Sequence, residues 1–251
     1  MHPTFLILVL TATLATGQGN RYEATTYLNG EPVKEESYQL IFPLEATAPH
    51  ANLVAMIPRP LSEMSLCYWA RLHRDIEDEC GVIFSYSVDA ILNDTAAAMC
   101  SGGRGVRFHR HQEVFDILFS LVPYTWVHVC TTWSAITSKW QVYINDQIYR
   151  TGYINSGFAI QPGGVVTIGA VQDDAGEGYE SEVLKGQVTE LNLWDYVLSS
   201  KDVSRLANCT FPHEGNVIAW SEAMWEMYNG ARFAPVRLPC FGKPMLHKQY
   251  N

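Results

Sequence analysis

The chain has 251 residues, 47% of them hydrophobic and 17% charged, an ordinary globular composition with apolar material for one large core. Its 17 Lys and Arg stand against 26 Asp and Glu, and the net charge of −9 argues against nucleic acid and anionic membrane as partners, since both need basic patches. An acid surplus suits solubility, or a cation site where carboxylates converge in one loop.

In chain order, Phe5 to Leu10 is an apolar run followed by the small, weakly polar stretch Thr11 to Gly17. Ala15-Thr16-Gly17 fits a small-x-small cleavage site, so residues 1–17 read as a signal peptide, although no Lys or Arg precedes the run. The alternative is a buried first strand. The run is too short to cross a bilayer of about 30 Å, and no later segment approaches the ~20 apolar residues of a spanning helix. The expectation is a secreted, extracellular protein without a transmembrane segment. Residues 18–37 are polar and read as an extended N-terminal arm, 38–241 as one domain and 242–251 as a C-terminal tail.

From Tyr38 onward, short apolar runs are punctuated by Gly, Pro, Asn and Asp. Trp140, Val142 and Ile144 alternate with Gln141, Tyr143 and Asn145, and Asn145-Asp146 predicts a turn. Val165 to Ile168 lies between glycines, as a core strand would, and Leu191 and Leu193 alternate with Glu190 and Asn192. Many short strands with turn signals predict an all-β sandwich. One short helix stands out: Ser199 to Asp202 offers a capping box, and Val203 with Leu206 gives the i, i+3 apolar spacing.

Six cysteines, Cys67, Cys80, Cys100, Cys130, Cys209 and Cys240, in an exported chain predict disulfides, though spacing alone does not choose the pairing. No CxxC pair exists, which argues against a zinc cluster or a thioredoxin-type site. Asp75, Glu77 and Glu79 would share one face of a strand, a spacing that glycoside hydrolysis permits. A solvated acidic loop running into Cys80 explains them better, and the chain reads as a binding protein, not an enzyme, with no catalytic residue assigned.

His128-Val129-Cys130-Thr131-Thr132-Trp133 resembles the first six positions of the pentraxin signature His-x-Cys-x-Ser/Thr-Trp-x-Ser/Thr, with Ala135 at its last position. Leu66 to Trp69, Ile83 to Tyr86, Gly169 to Asp173, Leu191 to Asp195 and Gly215 to Trp220 resemble further segments of that family. The likeness runs from Tyr38 to about Cys240. It implies a two-sheet, lectin-like jelly roll and a cyclic homo-oligomer, usually of five subunits. It also implies a calcium-dependent face, opposite the helix, that recognises phosphocholine, phosphoethanolamine or carbohydrate in innate immunity. The resemblance pairs Cys67 with Cys130, and the layout of invertebrate short pentraxins pairs Cys209 with Cys240. Cys80 and Cys100 remain as the third pair, expected to close the tip of a hairpin. His128 reads as structural, since no nucleophile accompanies it at any motif spacing.

Gln172 to Glu182 holds five carboxylates, one amide and two glycines in eleven residues. Such a cluster repels itself unless a cation or bulk water intervenes, and calcium takes six to eight oxygens of these kinds. By resemblance, Gln172, Asp173 and Glu180 fall on calcium-ligand positions, and Glu182 is the nearest candidate for a later one. The distant pair of ligands falls at Leu92-Asn93 without a gap, or at Asn93-Asp94 with one. Val171 stands where the family carries a glutamate bridging two ions, so one Ca²⁺ is expected here, not two; Asp174 is available to compensate. Asn93-Asp94-Thr95 and Asn208-Cys209-Thr210 are glycosylation sequons, and a glycan on Asn93 excludes that side chain from a metal shell. The family's apolar wall for choline methyls aligns with Ala96 to Cys100, and its acidic partner for the choline nitrogen aligns near Val114, beside Glu113. Phosphocholine specificity does not follow from that pocket. The competing reading is an extracellular adhesion or matrix protein that keeps the sandwich without calcium.

Overall fold

The computed structural model describes the backbone of residues 6–10, 24–28, 31–33, 36–73, 80–88, 91–111, 113–154, 158–171, 182–210 and 213–241, and the side chains from residue 36 onward except those of 91–93. Leu6–Leu10 (β1), Ala24–Leu28 (β2) and Glu31–Val33 (β3) form a small antiparallel sheet. β1 lies in the apolar run read as a leader, and β2 and β3 lie in the segment read as an N-terminal arm.

The strands that follow are Glu36–Phe42 (β4), His50–Leu53 (β5), Glu63–Leu72 (β6), Cys80–Val88 (β7), Ile91–Cys100 (β8), Gly105–Arg110 (β9) and Glu113–Ile117 (β10). After them come Val127–Ser134 (β11), Lys139–Ile144 (β12), Gln147–Tyr153 (β13), Val165–Ile168 (β14), Gly186–Trp194 (β15), Trp225–Tyr228 (β16) and Arg232–Arg237 (β17). They build two seven-stranded sheets, in the orders β10-β9-β8-β7-β14-β5-β16 and β13-β12-β11-β6-β15-β4-β17. We call these the outer-site sheet and the helix sheet. Leu66, Tyr68, Val129, Trp133, Trp140 and Val142 from the helix sheet meet Phe84, Tyr86, Ala97, Met99, Phe108, Val166 and Ile168 from the other in one buried core. The alternation of side chains along the strands delivers this, interrupted where β7 shifts register between Val82 and Phe84 and both Ile83 and Phe84 enter the core.

The second face of the helix sheet is also covered. The Cys67–Cys130 disulfide joins register partners on β6 and β11. It lies with Tyr143, Trp194 and Leu198 beneath the helix Ser200–Ala207 (α1), which contributes Val203. Ser199 caps the helix: its hydroxyl accepts from the Asp202 amide at 3.2 Å and donates to the Asp202 carboxylate at 2.6 Å. The predicted Asn145-Asp146 turn forms, with φ of 49° and 80°, and joins Ile144 to its partner Gln147. The left-handed backbone at both positions is the geometry a two-residue hairpin needs, and Asn and Asp tolerate it.

Two details differ from the sequence reading. The alternation through Glu190 to Leu193 is interrupted by a register shift against β6 between Thr189 and Asn192, with Glu190 at φ 51°. This bulge buries Asn192, whose Oδ1 accepts from the amides of Gly215 and Trp220, both at 3.0 Å. The Cys80–Cys100 bridge also lies elsewhere than expected. It joins the open ends of β7 and β8, whereas the hairpin closes at the Val88 to Ile91 pair. The third bridge, Cys209–Cys240, ties the end of α1 to the C-terminal segment.

Candidate functional site

The outward face of the outer-site sheet is organised in cross-strand rows. Val82 pairs with Ala98, Ala98 with Arg107, and Arg107 with Asp116. Nearer the hairpin end, Ala96 pairs with His109 and His109 with Val114. Cys80, Val82, Ala98 and Cys100 form a small apolar patch on this face, against which Val171 packs.

The carboxylate-rich loop is rooted on that patch. After β14 the chain turns at Gly169, where φ is +98° and a β-carbon would collide with the Phe42 ring, so no larger residue fits. The Gly169 amide donates to the Val82 carbonyl at 3.1 Å, the Leu184 amide to the Gly169 carbonyl at 2.8 Å, and the Val82 amide to the Glu182 carbonyl at 2.9 Å. Both ends of the loop are thereby pinned to β7. The seat of Val171 on the Cys80–Cys100 patch gives a packing reason for an apolar residue where the family carries a bridging glutamate.

Glu182 is exposed at the far root, with φ 57°. Its Oε1 accepts from the Arg107 guanidinium at 3.0 Å, and the same guanidinium binds Asp116 in two-pronged fashion at 2.7 and 3.2 Å. The hydrogen bond from Arg107 holds the Asp116 carboxyl below its usual value, with Arg104 and Arg150 adding to the effect. Neither Arg107 nor Asp116 was singled out from sequence. The available signal was the opposite charges nine residues apart on either side of a turn, which a two-stranded register brings face to face.

Asp94 occupies a different place. It is 6% exposed, and its Oδ1 accepts from the wholly buried Arg110 at 2.7 Å. The Arg110 Nη1 also reaches the Asp94 carbonyl at 3.2 Å, and its Nη2 donates to the Phe158 carbonyl at 2.5 Å. The guanidinium carbon stands 4.3 Å from the centre of the Trp133 ring. Burial pulls the Arg110 guanidinium down from its ordinary value, and Asp94 opposes this. His111 approaches Asp94 Oδ1 to 3.7 Å with its Nδ1.

Of the expected calcium ligands, Gln172, Asp173 and Glu180 lie outside the described residues, as do Asp174 and the Asn93 side chain; so do Asp75, Glu77 and Glu79. Among the described residues no group of three or more His, Cys, Asp or Glu side chains converges as a metal shell. Of the Ala96 to Cys100 stretch, Ala97 and Met99 point into the core, leaving Ala96, Ala98 and Cys100 for the outward face. Val114 is 53% exposed on the edge strand, with Glu113 beside it. Burial lowers the pKa of His109, which stands between Ala96 and Val114 in their row. Asn208 caps the C-terminal end of α1 on the surface, its Nδ2 donating to the Ser204 carbonyl at 2.7 Å.

Residues 39–235 match the model of the Pentaxin family. C-reactive protein 1.4 of Limulus polyphemus is 28% identical over 244 residues, covering 92% of each chain. The neuronal pentraxin receptor of Rattus norvegicus is 26% identical over 201 residues; the match covers 79% of this chain but only 40% of the receptor, so this chain spans well under half of that longer protein. The crystal structure of a native heptameric SAP-like pentraxin from Limulus polyphemus superposes with a TM-score of 0.71 at 24% identity, covering 81% of this chain and 96% of that one. The chain belongs to the pentraxin family, and its two antiparallel sheets with one short helix are that family's lectin-like jelly roll.

Proposed function

We propose that this protein is a secreted recognition protein that binds phosphoethanolamine- or phosphocholine-type or carbohydrate ligands in a calcium-dependent way, in the manner of innate-immune pentraxins. The observation that carries the reading is the rooting of the loop. Five carboxylates lie within an eleven-residue segment. The backbone at Gly169, ahead of that segment, and at Glu182, its last residue, is hydrogen-bonded to β7, whose outward patch lies on the face opposite α1. One Ca²⁺ would be held by Asp173, Gln172 and Glu180, with a further oxygen from Glu182 or from Asn93. Bound there, the ion would supply a fixed positive charge for a phosphate or sugar oxygen on the outward face. A cyclic homo-oligomer and a glycan at the exposed Asn208 complete the proposal. The heptamer reported for the Limulus structure supports the first and the sequon the second. Recognition, not hydrolysis, is the activity that fits a family of binding proteins.

A second reading, calcium-independent adhesion on the same fold, is favoured by Val171 in its apolar seat and by Glu182 already paired with Arg107. Passage of the purified protein over phosphoethanolamine, phosphocholine and sugar matrices separates the two. Retention in millimolar calcium and release by EDTA is the expected result; retention indifferent to EDTA would favour the adhesion reading.

A further inference from the structure

We infer that Asp94 is the buried counter-ion of Arg110, whose guanidinium reaches across to Trp133 of the other sheet, and that the calcium shell of this chain forms without Asp94. The ion pair stands on the structure alone; the statement about the metal rests on the calcium reading above.

Arg110 projects from β9 with no exposed surface and crosses to the other sheet, where it covers the ring of Trp133 on β11. A guanidinium in that position needs a fixed anion, because an isolated charge in a low-dielectric interior costs far more than a hydrogen bond returns. Asp94 is the carboxylate that binds it, through Oδ1 and its own carbonyl. To ligate calcium, Asp94 would have to leave Arg110 uncompensated or hold a divalent cation against it.

The other polar atoms at this point argue the same way. Asp94 Oδ2, Thr95 Oγ1, Arg110 Nε and Trp133 Nε1 are buried without hydrogen-bond partners among the described residues. Thr95 and Arg110 are register partners, so these groups surround one guanidinium. Arg110 Nε and Trp133 Nε1 are N–H donors only and repel a cation; a calcium shell is built from oxygens.

The test is a double-mutant cycle read by melting temperature, first in EDTA and then in millimolar calcium. In EDTA, Asp94→Asn should lower the melting temperature by about 10 °C, as expected for removing one partner of a buried pair. Arg110→Met should act comparably, and the double variant should recover a large part of both losses. Additive losses in the double variant would overturn the ion pair. In calcium, the double variant should keep the wild-type upward shift; loss of that shift would overturn the exclusion of Asp94 from the shell. A wild type without any calcium shift would overturn the calcium reading and its metal corollary, while the EDTA cycle still decides the ion pair.

Discussion

Cys67→Ser is expected to abolish secretion or to lower stability by about 4 kcal/mol, the entropic value of closing a loop of this length. The bridge spans 63 residues, between central strands β6 and β11 of the helix sheet, and is buried beneath α1. Substitution would leave a hydroxyl at a site only 2% exposed and a free thiol on the wholly buried Cys130. For a domain of this size the loss corresponds to a fall in melting temperature of roughly 10 °C. Peptide mapping checks the premise directly: a Cys67 peptide linked to any cysteine other than Cys130 would contradict it.

Trp133→Ala is expected to cost about 3–5 kcal/mol, the range for truncating a large buried aromatic. Trp133 has no exposed surface and lies between Met64 and Trp140 on the neighbouring strands. Its ring also carries Arg110 on one face, and a desolvated cation over an indole adds up to ~2 kcal/mol. Trp133→Phe keeps a ring beneath the guanidinium and should lose markedly less. Chemical denaturation of both variants against wild type measures this; a loss below ~1 kcal/mol for Trp133→Ala would contradict the role of that side chain as a joint between the sheets.

The parts of the fold legible in the sequence are those written in local chemistry. Alternation through Trp140 to Ile144 marks a strand whose two faces serve the core and the helix, and both contacts form. Asn145-Asp146 marks a turn and Ser199 a helix start for backbone reasons that hold in any fold. The signature around Cys130 pointed to the family because four residue types at set spacing, His128, Cys130, Thr132 and Trp133, constrain one strand.

What stayed hidden depends on pairings across sequence distance. Arg110 sits in a run of Arg and His, and only the register of β8 with β9 brings it to Asp94, 16 residues away. The bulge at Glu190 leaves no trace in composition, because its cause is the set of bonds that Asn192 makes to Gly215 and Trp220. The position of the Cys80–Cys100 bridge at the open end of its hairpin likewise follows from register, not from spacing. For the candidate site, the carboxylate density of the loop was legible, while its anchorage to β7 and the grip of Arg107 on Glu182 and Asp116 were not.

The most direct test of the calcium-dependent account is the melting temperature of wild type and Asp173→Asn with and without calcium. An ion that binds only the folded state stabilises it by RT ln(1 + [Ca]/Kd), about 2.7 kcal/mol at one hundred times Kd. Calcium at about 5 mM, near the top of the range for extracellular modules, should therefore raise the wild-type melting temperature by several degrees. EDTA should reverse the shift, and magnesium should do little because it demands a tighter octahedral shell. Asp173→Asn should lose most of the shift while its calcium-free melting temperature stays equal or rises, since one repelling charge has left the loop. No calcium-dependent shift in wild type would contradict the account and leave the calcium-independent adhesion reading in its place.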